Sequence, residues 1–169
     1  MRKLNFGCGA DVRKSSKDEK WDNVDVQENP RLTNSFDFNK MPYPLKENTY
    51  DYVYAKSVLE HLDKPEEVLM ELRRICKNGA IIEVSVPHYS NRGAYDDMQH
   101  IHFFNENAFK NFIYDRRKIN NPELFRIRRL YVTPTKIGRL MPRRIRDVLS
   151  LFINGLHSKI WVKLEVVKS

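Results

Sequence analysis

The sequence predicts an α/β fold built on a mostly parallel β-sheet with helices on both faces. Short apolar segments of strand length alternate along the chain with stretches of helical periodicity. The first of these segments runs directly into Gly7-Cys8-Gly9, a glycine turn that lets the backbone approach a ligand closely. The second segment ends at Asp25, sixteen residues after Gly9. In α/β domains, an acid at such a distance from a glycine turn binds the hydroxyl groups of a ribose.

The elements can be assigned in order along the chain. Seven strands are predicted at 2–6, 23–26, 33–36, 50–55, 80–86, 125–132 and 160–167. Helices are predicted at 64–76, 105–114 and 143–156, and the first of them has Pro65 near its start and Asn78-Gly79 as its stop. Residues 10–20 lack an apolar stripe, and residues 27–32 are too few for a crossover helix. We therefore expect loops in place of helices early in the chain.

The composition indicates a single domain over residues 1–169. Hydrophobic residues make up 41% of the chain, which suffices for one core at this length. No apolar run approaches about 18 residues, so no transmembrane helix is expected. The polar N-terminus predicts no secretion signal. Cys8 and Cys76 have no metal-binding spacing and favour free thiols. We therefore expect a cytoplasmic protein.

The charge of the chain is uneven. The net charge is +8, and the segment from 116 to 146 contains eleven Lys and Arg residues against one acid, Glu123. Such a segment favours an anionic partner, which is a phosphate-bearing substrate, a nucleic acid or an anionic membrane surface. A solvated face that only aids solubility is the alternative.

Further motifs after Asp25 point to a family. They are Asp37-Phe38-Asn39, Met41-Pro42-Tyr43-Pro44-Leu45 and the stretch Tyr50-Asp51-Tyr52-Val53-Tyr54-Ala55-Lys56-Ser57-Val58-Leu59-Glu60-His61-Leu62. With these motifs the sequence from Leu4 to about Val86 resembles the class I S-adenosylmethionine-dependent methyltransferases, and within them the small type-11 group. The resemblance implies a Rossmann-like sheet of seven strands with the last two antiparallel. It also implies S-adenosyl-L-methionine as cofactor and methyl transfer as activity.

The same resemblance implies which residues bind the cofactor. They are Asn5, Phe6, Gly7, Cys8, Gly9, Asp25, Val26, Asp37, Phe38, Lys56, Ser57 and His61. In this family the glycine turn meets the amino-acid end of the cofactor, Asp25 would accept from the ribose, and Asp37 would meet the adenine. The chain departs from the pattern at two positions. Asn5 stands where the family usually has an acid, and Asp11 replaces the third glycine.

Four of the five histidines fall between His61 and His102. His88 and His100 are the candidate general bases, because a histidine with a pKa of about 6.5 can take a proton at neutral pH. Histidines that only fix the loop are an alternative. A metal set of His88, His100 and His102 with Asp96 or Asp97 is another, but His-x-His on an irregular loop is a weak signal, and we predict no metal site.

A basic amphipathic helix is predicted as an insertion at about 137–158, between the last two strands. Its apolar face consists of Ile145, Val148, Leu149, Phe152 and Leu156. Arg143, Arg144 and Arg146 lie on the opposite face. Core packing or homodimer formation, a lid over the substrate, and peripheral contact of residues 142–156 with an anionic bilayer all remain open.

The function expected is methyl transfer to an O or N atom of a small or carrier-linked acceptor. The basic last third favours an anionic acceptor, such as a sugar or a lipid-linked glycan. An RNA methyltransferase is an alternative, although the sequence contains no aromatic-interleaved RNA-binding module. A degenerate, cofactor-binding partner subunit without catalysis is another, suggested by Asn5, Asp11 and the missing early helices.

Overall fold

The structure is a computed structural model that describes residues 1–118, 123–150 and 152–168, with only the main chain over 114–118. Its strands are β1 (Arg2–Phe6), β2 (Lys20–Asp25), β3 (Asn34–Ser35), β4 (Tyr50–Lys56), β5 (Cys76–Pro87), β6 (Phe125–Pro134) and β7 (His157–Val166). Its α-helices are α1 (Pro65–Ile75), α2 (Glu106–Lys118) and α3 (Arg143–Leu149). Over the described residues, no helix has the length and apolar character needed to cross a bilayer.

The seven strands form one sheet in the order β3-β2-β1-β4-β5-β7-β6. The first five strands pair in parallel, whereas β7 runs antiparallel to both of its neighbours, β5 and β6. The mostly parallel sheet with an antiparallel last pair is therefore confirmed. The strand order reverses between β1 and β4, and in open α/β sheets ligands bind beyond the carboxyl ends of the strands at this switch point.

The early part of the sheet has loops where a crossover helix is usual. No helix lies among residues 7–19 or 26–33, all of which the structure describes. Loops were expected because residues 10–20 lack an apolar stripe and residues 27–32 are too few for a crossover helix, and this expectation is confirmed.

The predicted stop of the first helix at Asn78-Gly79 is wrong. The helix α1 ends at Ile75, and β5 begins at Cys76, whose backbone is already extended. Cys76 is fully buried and pairs with Tyr50 of β4. Strand pairing therefore begins before Gly79. Burial raises the pKa of the Cys76 thiol to about 12.

The core lies against the middle strands. Phe6 of β1 is fully buried and stacks on Phe38 with ring centroids 4.0 Å apart. The apolar side chains of α1 at Val68, Leu69 and Leu72 are also buried. This packing holds β1 and β4 rigidly and so fixes the positions of the loops at their carboxyl ends.

Candidate active site

The glycine turn joins the carboxyl ends of β1 and β2. The N–H groups of Gly7 and Cys8 both donate to the main-chain oxygen of Val24, over 3.0 and 3.1 Å. Gly7 and Gly9 have φ angles of +67° and +50°, which side-chain-bearing residues rarely adopt. A Cβ at Gly7 would lie 2.2 Å from Cγ2 of Val58, whereas a Cβ at Gly9 would meet no described atom within 4 Å. Packing therefore requires Gly7, while Gly9 leaves its backbone open to a ligand.

Asp25 ends β2 beside this turn. Its Oδ2 accepts from the N–H of Gly9 over 2.7 Å, and its Oδ1 accepts from the N–H of Gln27 over 3.2 Å. The carboxylate borders a cleft of about 250 Å³, the β1–β2 cleft, which is further lined by Gly9, Ala10, Gln27, Glu28, Asn29, Arg31 and Leu32. A carboxylate oxygen accepts up to two hydrogen bonds, so each oxygen can still accept one from a ligand. The cleft thus fits a ribose diol.

Asn5 is buried beneath the turn and bonds to protein atoms. Its Nδ2 donates to the main-chain oxygen of Asp11 over 2.7 Å and to Oδ1 of Asn23 over 3.0 Å. Asn23 in turn bonds both the N–H and the oxygen of Arg13, over 2.8 and 2.9 Å. The two amides therefore attach the loop after the glycine turn to β1 and β2. An acid at position 5 could not donate to Asp11, which explains the departure from the family pattern.

The candidate adenine contacts differ in their exposure. Asp37 caps a turn, since its Oδ1 accepts from the N–H of Asn39 over 3.0 Å and its Oδ2 lies 3.4 Å from Nζ of Lys40. Phe38 and Phe6 belong to the core, so their rings present no surface to a ligand. Val26 is 58% exposed directly after Asp25. Val26 is therefore more accessible than Phe38 for an apolar contact with the adenine.

The side chains of Lys56 and Lys159 lie near each other at the carboxyl end of β4. Lys56 is exposed at the end of the strand, and Ser57 follows it with a φ of +54°. Nζ of Lys159, at the amino end of β7, donates to Oγ of Ser57 over 3.2 Å. Burial, followed by the nearby Lys56, lowers the pKa of Lys159. The pair forms a positively charged position for a carboxylate or a phosphate.

The histidines separate into two groups. The ring of His61 lies 4.6 Å from that of His100, centroid to centroid. Nε2 of His102 lies 3.2 Å from the main-chain oxygen of Asp63. His88 instead contacts Ser90, Glu106 and His157. The set of His88, His100 and His102 considered from the sequence therefore does not form one site.

A larger cleft of about 660 Å³, the β5–β6 cleft, opens at the same edge of the sheet. It is lined by His88, Tyr89, Asn105, Glu106, Asn107, Lys110, Leu130, Tyr131, Val132, Arg143, Arg146, Asp147, Ser150 and His157. The N–H of Ser90 donates to Nδ1 of His88 over 3.2 Å, so Nε2 carries the proton and faces Oε2 of Glu106 at 3.4 Å. Burial, followed by His157, lowers the pKa of His88, which is therefore neutral at pH 7.

The predicted helix at 143–156 is shorter than expected, since α3 ends at Leu149. Most of its predicted apolar face does not pack into the core, and Leu156 alone of that face is buried. Ile145 is 53% exposed, Val148 58% and Phe152 82%, whereas the charged Arg146 is buried. Nη1 of Arg146 donates to the main-chain oxygen of Gly138 over 3.3 Å. Leu151 lies outside the described residues.

Sequence reasoning missed several residues of this edge. Glu106 and His157 join His88 only through the tertiary fold, because they come from α2 and β7. Lys159 reaches Ser57 across 102 residues of sequence. Glu60 directly precedes His61 in the sequence. Its burial is what distinguishes it, and burial cannot be read from a sequence.

The comparisons agree with this geometry. Residues 8–84 match the family model described as "Methyltransferase domain", of the type-11 group. In sequence, no curated protein matches the chain. A SAM-dependent methyltransferase from Aquifex aeolicus superposes with a TM-score of 0.63 at 18% identity, covering 99% of this chain and 82% of that one. For one from Archaeoglobus fulgidus the TM-score is 0.65 at 15% identity, with 97% and 86% covered.

A third similar structure belongs to an assembly. A chain of the complex between the Haloferax volcanii Trm112 methyltransferase activator and a methyltransferase superposes with a TM-score of 0.64. The two chains are 12% identical, and the match covers 99% of this chain and 83% of that one. At such identities the structural likeness reports the fold. Residues 8–84, which include Gly9 and Asp25, are similar to the type-11 methyltransferase domain, and the seven-stranded sheet has the fold of the S-adenosylmethionine-dependent methyltransferases on which it superposes.

Proposed function

We propose that this chain methylates an O or N atom of an anionic, carrier-linked acceptor, and that the carrier is a lipid. The observation that carries the proposal is the β5–β6 cleft, which shares one edge of the sheet with the glycine turn and has Lys110, Arg143 and Arg146 in its lining. Cations around a cleft select a phosphate or carboxylate group. The acceptor would then lie beside the cofactor, as methyl transfer requires.

The cofactor residues act by binding and orientation. S-adenosyl-L-methionine supplies a methyl group already activated by its sulfonium. In the proposal, Asp25 accepts from the ribose hydroxyls, the exposed backbone of Gly9 admits the ligand, and Val26 covers one side of the adenine. Lys56 receives the carboxylate of the amino-acid end. Positioning of two reactants alone can lower a barrier by about 7–11 kcal/mol, so no further catalytic motif is required.

On the acceptor side, Glu106 is the group that takes a proton. Because the Nδ1 of His88 already accepts from Ser90, its Nε2–H points toward Glu106. His88 then acts as a positioning residue for Glu106. His100 lies apart from this pair, beside His61.

The lipid part of the proposal rests on α3. Val148 and Phe152 are exposed, together with Ile145, Ile153 and Leu140 in the same segment, and we call these five residues the α3 surface. Exposed Arg139, Arg143 and Arg144 surround them. An apolar surface bordered by cations binds the interface of an anionic bilayer. A lid or a homodimer contact would use the same surface and is distinguished by the tests below.

The proposal is tested in two arms. First, the protein is incubated with methyl-tritiated cofactor and with separated lipid, small-molecule and RNA fractions of cells. Label is expected in an anionic lipid fraction. Label in RNA alone would instead support an RNA methyltransferase, and absence of both label and cofactor binding would support a non-catalytic partner subunit.

The second arm measures cosedimentation with vesicles containing phosphatidylserine. The double variant Val148→Asp/Phe152→Asp is expected to lose binding, whereas Met98→Asp, at a fully exposed apolar site on another loop, retains it. A dimer that dissociates in the double variant without any vesicle binding by the unaltered protein would refute the membrane role. With two buried free thiols, Cys8 and Cys76, we propose a cytoplasmic enzyme that acts at a membrane surface.

A further inference from the structure

Glu60 is the most unusual side chain of the described structure. It is 1% exposed, and neither of its carboxylate oxygens has a hydrogen-bond partner among the described residues. An ionised carboxylate without a partner is among the costliest groups to bury. The ammonium group of Lys159, whose charge favours the ionised form of Glu60, donates to Oγ of Ser57 instead. Glu60 therefore requires either a proton or a cation.

Two imidazoles meet this carboxylate. Ligand atoms of Glu60, His61 and His100 all lie within 4.8 Å of one another. Nδ1 of His61 is buried and has no partner in the described part of the chain. Nδ1 of His100 lies 2.9 Å from the main-chain oxygen of Ala94, and since a carbonyl only accepts, this nitrogen carries the proton. Nε2 of His100 is therefore the nitrogen with a free lone pair, in the arrangement usual for metal-binding histidines.

We propose that Glu60, His61 and His100 bind a divalent transition-metal ion. Two imidazoles and one carboxylate are the ligands of catalytic zinc sites, which keep a fourth position open. Mg²⁺ prefers oxygen ligands and matches this set poorly. His61 and His100 are only half-buried, so the open position can face the solvent or a ligand. Zn²⁺ is the ion that fits best.

Two segments of the chain, one after β4 and one after β5, hold the three metal-binding residues together. The 3-10 turn Leu59–His61 begins after Val58, which packs against Gly7. His100 comes from the loop after β5, and the N–H groups of Ile101 and His102 in this loop donate to the main-chain oxygen of Glu60 over 2.9 and 3.2 Å. The site therefore adjoins the glycine turn.

Metal binding can be measured without cofactor or acceptor. The chelator-treated, tag-free chain is titrated with Co²⁺, followed by its visible absorption, and with Zn²⁺ in competition with a chromophoric chelator. We expect saturable binding of one ion and a rise of the melting temperature with Zn²⁺. Glu60→Gln, His61→Asn and His100→Asn should each weaken binding by about 100-fold or more, since loss of outer-shell partners alone costs about 10–100-fold.

His102→Gln is the matched control, because this histidine lies in the same loop but bonds to Asp63. It should bind Zn²⁺ as the unaltered chain does. The proposal is overturned if the unaltered chain binds no ion, or if all four variants bind equally. Binding that survives Glu60→Gln but is lost in His88→Gln would move the ion to the β5–β6 cleft and equally overturn it. Because no titration contains cofactor or acceptor, failure here leaves the labelling test of the proposed function unaffected.

Discussion

The N–H of Gly9 donates to Oδ2 of Asp25 over 2.7 Å, and this bond joins the turn after β1 to the end of β2. The acid expected to hold the ribose therefore also orients the backbone that the ligand must approach. Binding and preorganisation depend on the same side chain.

Asp25→Ala is expected to weaken binding of the cofactor and its demethylated product at least about 10-fold, because one hydrogen bond to an ionised group contributes about 1.5–3 kcal/mol. Isothermal calorimetry measures the loss. Asp25→Asn keeps one acceptor oxygen and should lose less. Asp18→Ala, an equal change of charge in an exposed loop, should bind normally. Equal affinities of Asp25→Ala and the unaltered chain would contradict the assigned ribose contact.

The two glycines of the turn should respond differently to alanine. Gly7→Ala places a Cβ against Val58 and should destabilise the fold by about 1–3 kcal/mol or more, measured by urea unfolding. Gly9→Ala has open space around its Cβ and should cost about 1 kcal/mol of stability through its positive φ. It should weaken cofactor binding more strongly than it weakens the fold. Gly79→Ala, at a φ of +77° in open space away from the site, is the control for φ alone. If Gly9→Ala and Gly79→Ala bind cofactor equally well, Gly9 is not at the ligand.

Asn5→Asp, which restores the acid usual in the family, is expected to destabilise this chain by about 1–3 kcal/mol. The new carboxylate would face the main-chain oxygen of Asp11 and Oδ1 of Asn23, to which Asn5 now donates. Urea unfolding with and without cofactor measures the change. Asn154→Asp, at an exposed position that lines neither cleft, is the control for the added charge. Unchanged stability of Asn5→Asp would mean that the amide bonds contribute little.

The lowered pKa of His88 gives a defined pH dependence. The unfolded chain binds a proton at this position near pH 6.5, whereas folded His88 binds it only at a lower pH. Stability should therefore fall as the pH drops below about 6.5, with a slope of at most about 1.4 kcal/mol per pH unit from this group. The difference in unfolding free energy between the unaltered chain and His88→Gln should shrink over this range. If the difference for His88→Gln stays constant over this range, the lowered pKa assigned to buried His88 is contradicted.

Much of the fold follows from local patterns. The alternation of apolar strands and helices, the loops at 10–20 and 27–32, and the glycine turn with Asp25 could all be predicted, because each depends on neighbouring residues. The inclusion of Asn78 and Gly79 in β5 could not be predicted, since pairing of Cys76 with Tyr50 begins the strand earlier. Nor could the exposure of the apolar side of α3, where Arg146 turns inward to bond Gly138.

The sequence by itself predicted a ribose-binding turn, because a glycine turn and an acid at a fixed spacing carry their chemistry within about twenty residues. Its resemblance to a family then implied the cofactor. Tertiary structure alone decided the groups at the acceptor side. Glu60 and His61, which follow β4, meet His100, which follows β5, only after these two segments converge at one sheet edge. His88 likewise meets Glu106 of α2 there. Parallel strands bring their carboxyl ends to the same edge however far apart they lie in the chain, so such contacts have no local signature.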